Sequence, residues 1–136
     1  MTAQEVFDIA MSLMDNRDAG RYRAAVTEYR PRALDIINLL CAELFPYCAT
    51  FTGNDRPSPA LLTNINQDMP LDESISRLIV PYGLAAHLFL TEDPNAAAFF
   101  QQRYEEGRAR IARGWPRDWE AIEDVYGMEY NDYGSW

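Results

Sequence analysis

The chain reads as an all-α protein, a small bundle of about four helices. Three observations predict this: apolar residues recur at helical spacing in separate windows, three helix starts carry capping signals, and proline or glycine falls where the stripes break. Thr2 followed by Glu5 fits a capping box, and Val6, Ile9, Ala10, Leu13 and Met14 recur at i, i+3, i+4, i+7 and i+8. A first helix is therefore expected from about residue 3 to residue 16. Gly20 and the charged residues around it break the pattern. A second helix is expected to begin near Thr27, with the threonine hydroxyl capping the turn that enters Glu28 and Tyr29, and with Pro31 close enough to that start to be tolerated. Ile36, Ile37, Leu40, Cys41, Leu44 and Phe45 continue the apolar face to Pro46, where the helix should bend or stop.

Residues 49 to 70 gather Gly53, Asn54, Asp55, Pro57, Ser58, Pro59, Asn64, Asn66 and Pro70, which predicts a long loop between the second and third helices. Loops of this length are uncommon in compact domains and often functional. Leu61, Leu62 and Ile65 inside it need burial, so the stretch should fold back or contact a neighbouring subunit. Asp72 and Glu73 open a third helix with Ile75, Leu78, Ile79, Tyr82, Ala86 and Phe89 on its buried face. Pro81 and Gly83 within it should kink the helix or let another element approach closely. Asp93 as N-cap and Pro94 at the first helical position start a fourth helix. Phe100, Tyr104, Gly107 and Ile111 mark its inner face, Arg103, Arg108, Arg110 and Arg113 load it with cations, and Gly114, Trp115 and Pro116 end it. The expected organisation is a helical domain over residues 1–116 and an extended acidic and aromatic tail over residues 117–136.

At 136 residues with 48% hydrophobic composition, one domain with a substantial core is expected. A formal net charge of -9 opposes electrostatic binding to nucleic-acid backbones, which requires clustered cations. All 12 basic residues are arginine, which suits planar contacts to carboxylates at interfaces and equally fits a codon bias toward G+C. Cys41 and Cys48, if on one helix, stand about 10 Å apart along its axis, too far for a disulfide, and read as buried thiols of a reducing compartment. The N-terminus lacks the pattern of a secretory signal, and no apolar run approaches the roughly 20 residues that span a bilayer, so a soluble protein made in the cytoplasm is expected.

No catalytic residue, cofactor site or metal site is expected. His87 is the only histidine, so no triad or multi-histidine metal site with a second histidine can be built, and it reads as a hydrogen-bonded packing residue. Glu105 and Glu106 are adjacent, point about 100° apart on a helix and read as a solvated face. Glu123 and Asp124 lack the surrounding oxygen ligands of a calcium loop, and no glycine-rich phosphate loop is present. The tail is the better functional candidate. Trp119, Ile122, Val125, Tyr126, Tyr130, Tyr133 and Trp136 alternate with acids, and such aromatics either anchor an interface or wrap back over the chain's own helices. Ile122 to Tyr126 would also serve as an edge strand added to a partner's sheet.

The stretch Val80 to Glu106, with Tyr82-Gly83-Leu84-Ala85-Ala86, the Glu92-Asp93 corner, Phe99-Phe100 and Tyr104, and the tail run Ile122-Glu123-Asp124-Val125-Tyr126-Gly127, resembles the helical head-tail connector (adaptor, or head-completion) proteins of tailed bacteriophages and prophages. The likeness covers the second half best and extends to most of the chain by helix order and length. It implies an all-helical virion protein that forms a ring of identical subunits, usually a dodecamer, beneath the portal and extends the DNA channel at the head-tail junction. DNA would pass through without specific binding, and an acidic wall would let it slide. On this reading the tail residues named above dock on the portal or the next neck protein. Arg103, Arg108, Arg110 and Arg113, with Leu61, Leu62 and Ile65, meet adjacent subunits, and no membrane is involved. The rival readings are a strand-rich tail-completion or stopper protein, a small acidic helical module that binds a host protein one to one, and an enzyme with an acid pair assembled by the fold.

Overall fold

The computed structural model describes residues 1–15, 19–48 and 58–114. Its helices are α1 (Ala3–Leu13), α2 (Ala19–Leu44), α3 (Glu73–Leu78), α4 (Val80–Leu88) and α5 (Pro94–Ala112), with a single 3-10 turn at Phe45–Tyr47. Among the described residues there is no strand beyond one isolated bridge pairing Thr2 with Asp68. The expected four-helix bundle is present, with its third helix divided into α3 and α4.

The capping box at α1 forms as expected: the Thr2 hydroxyl accepts from the Glu5 amide, while the Glu5 carboxylate accepts from the Thr2 amide at 2.8 Å. Phe7 and Met11 join Val6 and Ala10 in the core, so the buried stripe is wider than the spacing alone predicts. The helix ends earlier than expected. Met14 is its C-cap and Asp15 takes a left-handed conformation with φ 62°, a geometry that aspartate tolerates better than most residues.

The start of the second helix needs correction. α2 begins at Ala19, runs straight through Gly20 and Thr27, and carries Pro31 in its interior. Thr27 caps nothing; its hydroxyl donates back to the Arg23 carbonyl within the helix. The reason is a stripe of small and amphipathic residues, Ala25, Tyr29 and Ala33, each buried and four apart, that joins the stronger stripe Ile37, Leu40, Cys41 and Leu44. Pro31 and Thr27 are both exposed, so the carbonyl deprived of its partner by the proline faces water. At the other end, Pro46 behaves as expected: α2 stops at Leu44 and the chain turns through Phe45–Tyr47. Cys48 therefore lies off the helix that holds Cys41, and both thiols are free and buried.

The described part of the long loop folds back onto α1. Ala3 and Gln4 donate their amides to the carbonyls of Gln67 at 3.0 Å and Ile65 at 2.7 Å, and the Met69 amide donates to the Met1 carbonyl at 2.8 Å. Asn38 of α2 clamps the same segment, accepting from the Leu62 amide and donating to the Leu62 carbonyl, each at 2.9 Å. Leu62 enters the core, and Ile65 packs half-buried against it.

The break between α3 and α4 sits at Ile79, two residues before Pro81, whose ring lacks the N–H and crowds the preceding turn. α4 is buried along nearly its whole length, and it lies between α2 and α5. Gly83 makes this possible. A Cβ there would stand 2.8 Å from Tyr104 Cδ1 and 3.1 Å from Leu40 Cδ2, so only glycine lets α2, α4 and α5 converge at that level. α5 starts as expected, with the Asp93 carboxylate accepting from the Ala96 amide at 3.1 Å and Pro94 at the first position. Phe100, Tyr104, Gly107 and Ile111 form its buried face, and Gly114 closes it at φ 87° with its amide donating to the Ile111 carbonyl.

Candidate functional site

Several polar side chains join one helix to another. Three tyrosines each donate to a carboxylate across an element boundary. Tyr22 of α2 donates to Asp8 of α1 at 2.6 Å, and Gln4 donates to the same carboxylate at 2.9 Å while accepting from Arg30. Tyr29 of α2 donates to Glu92 at the α4–α5 corner at 2.5 Å, with the Arg32 guanidinium 5.9 Å over its ring. Tyr104 of α5 donates to one oxygen of Glu43 on α2, and Arg108 donates to the other at 3.1 Å. Burial, reinforced by the adjacent carboxylate, pushes all three phenols above their ordinary value. Held protonated, they act as donors that fasten α1, the corner and α5 to α2. Burial likewise pushes the Cys41 thiol up to about 12, which keeps it protonated and unreactive at neutral pH.

A cavity of about 600 Å³ opens between α2, α4 and α5, with Ala86, Leu90 and Ala97 among its apolar walls and His87, Glu43 and Arg108 on its polar side. His87 is exposed, contrary to the packing role expected of it. It falls on the one side of α4 that faces outward, because Val80, Pro81, Gly83, Leu84, Ala85, Ala86 and Leu88 claim the interior. Glu43 is already engaged by Tyr104 and Arg108. Among the described residues, no group of three or more His, Cys, Asp or Glu side chains could hold a metal ion.

The structure disperses the arginines expected to act together. Arg103 lies 5.3 Å over the Tyr82 ring, Arg108 pairs with Glu43, and Arg110 and Arg113 are exposed near the end of α5. Of the loop residues assigned to neighbouring subunits, Leu62 is buried in the chain's own core and Ile65 is half-buried. Leu61 alone stays outside, 71% exposed. Glu105 and Glu106 form the solvated face expected, each accepting from a glutamine one turn earlier. Trp119, Ile122, Val125, Tyr126, Tyr130, Tyr133 and Trp136 lie outside the described residues, as do Glu123 and Asp124.

Further apolar side chains reach the surface, and one of them corrects an expectation: Leu78, placed on the buried face of the third helix, is 50% exposed, because Ile75 and Ile79 take the inner side where α3 ends. Leu39 is 70% exposed, Leu90 61% and Phe99 55%. Leu39 and Leu61 flank the Asn38–Leu62 clamp, and Leu90 and Phe99 lie on either side of the Asp93–Pro94 corner. Periodicity could have found Leu39, which falls off the Ile37, Leu40, Cys41, Leu44 stripe; Leu90 sits in a turn, where periodicity carries no signal. No family model, curated protein or solved structure matches the chain. Among the described residues no helix is long and apolar enough to cross a membrane.

Proposed function

We propose that this protein is a structural head-tail connector, a neck adaptor that gathers as a ring beneath a phage portal and extends the DNA channel for tail attachment. The observation that carries the reading is the pairing of a fastened helical bundle with large apolar side chains left outside it. Leu39, Leu61, Leu90 and Phe99 are all more than half exposed, although the core they could have joined is closed. Each of these side chains would bury its exposed apolar area against a neighbouring subunit, and that burial supports the assembly reading. The helical architecture favours an adaptor over a strand-rich stopper, and the resemblance of Val80 to Glu106 to connector proteins gives the reading its biological setting. The mechanism is assembly, not turnover: identical subunits meet around a closed axis, the acidic wall repels the passing DNA, and the tail docks on the portal or the next neck protein. The site of action is the head-tail junction of the virion.

Co-elution of the full-length chain with the portal protein of the same genome tests this. Charge-introducing substitutions at two exposed apolar positions, Leu39→Glu and Phe99→Glu, should weaken co-elution while leaving the thermal unfolding of the free chain nearly unchanged. Undiminished co-elution of both variants would remove the surface assigned to assembly.

A further inference from the structure

The first half of α2 carries a charge bias opposite to that of the chain. From residue 19 to residue 32 it holds Arg21, Arg23, Arg30 and Arg32 against the single acid Glu28, in a chain of net charge -9. Residues 115–136 hold Asp118, Glu120, Glu123, Asp124, Glu129 and Asp132 against the single arginine Arg117, interleaved with tryptophan and tyrosine.

Tyr22, Arg23, Val26, Thr27 and Arg30 fall along one stripe of α2 and line an open groove of about 500 Å³. Arg23 is exposed, and no described residue pairs with its guanidinium. Arg30 donates to the uncharged amide of Gln4, which together with Tyr22 donates to the Asp8 carboxylate at the α1 edge of the groove, so this chain of hydrogen bonds ties Arg30, and not Arg23, to that charge. Val26 is half-buried between the two arginines. The groove thus offers two cations around an apolar centre, a surface that fits a carboxylate–aromatic peptide: guanidinium groups bind carboxylates in planar pairs and also stack on aromatic rings.

The direction of the helices bears on whose peptide it is. Tyr29 meets Glu92 just before α5, and Glu43 meets Tyr104 within it, so α5 runs in the same direction as α2. The end of α5 at Gly114 lies about 15 Å beyond the level of Glu43, and the groove about 25 Å behind that level, by the helical rise. The chain's own tail would have to double back roughly 40 Å of an extended reach of about 70 Å. A second copy placed head to tail needs no such return.

We infer that the α2 groove receives the acidic, aromatic segment 115–136 of a second copy of this chain. The contact is heterologous, tail of one copy to groove of the next, and such contacts close into rings when the rotation allows. This deepens the ring reading and rests on it only for closure.

The test is fluorescence anisotropy of a labelled peptide of residues 115–136 against the intact chain at low ionic strength. Saturable binding is expected, weakening at least about tenfold in Arg23→Glu/Arg30→Glu and falling as salt rises. Arg23→Glu alone, which breaks no internal contact, should weaken it several-fold, and Arg103→Glu should leave it unchanged. Unlabelled Arg23→Glu/Arg30→Glu chain, which keeps residues 115–136 and lacks the basic groove, should compete with the peptide. Equal binding to all variants, no binding, or failure of that variant chain to compete would each overturn the inference. If Arg23→Glu/Arg30→Glu still gathers on the portal like the wild type while the peptide result is negative, the groove is wrong and the adaptor reading survives. If the peptide binds as expected but the wild type forms no complex with the portal, the groove stands and the adaptor reading fails.

Discussion

Single side chains set the rigidity of this bundle, and Tyr104 is the most informative. Its hydroxyl reaches Glu43 from a site that is 3% exposed, so Tyr104→Phe removes one of the two donors holding that carboxylate. A loss of about 1 kcal/mol is expected in urea unfolding at neutral pH, since the carboxylate keeps Arg108 and partial hydration. Tyr22, Tyr29 and Tyr104 share a further consequence. Their folded-state phenols titrate above the ordinary value of about 10, so their stabilisation is complete below that pH and is lost as pH rises from there toward the folded values. Stability measured between about pH 9 and about pH 11 should therefore fall, and fall less steeply in Tyr104→Phe. Ser76 points the other way. It is fully buried and its hydroxyl has no partner among the described residues. Ser76→Ala should be neutral or stabilising by about 1 kcal/mol, read from the same denaturation curves.

At the scale of elements, the meeting of α2, α4 and α5 depends on Gly83. Adding a methyl group there drives it into the Tyr104 ring, which cannot swing away while its hydroxyl is fastened to Glu43. Gly83→Ala should cost about 1–3 kcal/mol despite the better helix propensity of alanine, measured by thermal or urea unfolding. How far such features are legible in the sequence differs by element. The Thr2–Glu5 capping box, the Asp93–Pro94 start, the Pro46 stop and the inner face of α5 are readable because each rests on local chemistry. The break at Ile79 follows from Pro81 for the same reason. The beginning of α2 is hidden, because its buried stripe is made of alanine and tyrosine and because Gly20 and Pro31 are breakers that a long, well-packed helix absorbs. The exposure of His87 is hidden too, because a uniformly apolar helix such as α4 gives no periodic hint of its outer side.

For the whole molecule, the interfaces are less legible than the fold. Whether an arginine is free or internally engaged depends on distant partners such as Glu43 and Tyr82, and whether Leu61 or Leu62 turns inward depends on Asn38. What emerges is a closed bundle with apolar side chains outside it, a basic groove on α2 and an acidic, aromatic tail, a combination suited to repeated contacts between copies around a larger partner. The proposed adaptor role turns on that repetition. The most direct test is the mass, by light scattering after size-exclusion chromatography, of the full-length chain alone and mixed with the portal protein of the same genome. An adaptor should give a complex heavier than the portal by a ring of many copies, whether or not the free chain is monomeric. A portal that elutes at its own mass, or with only one or two copies attached, would contradict it.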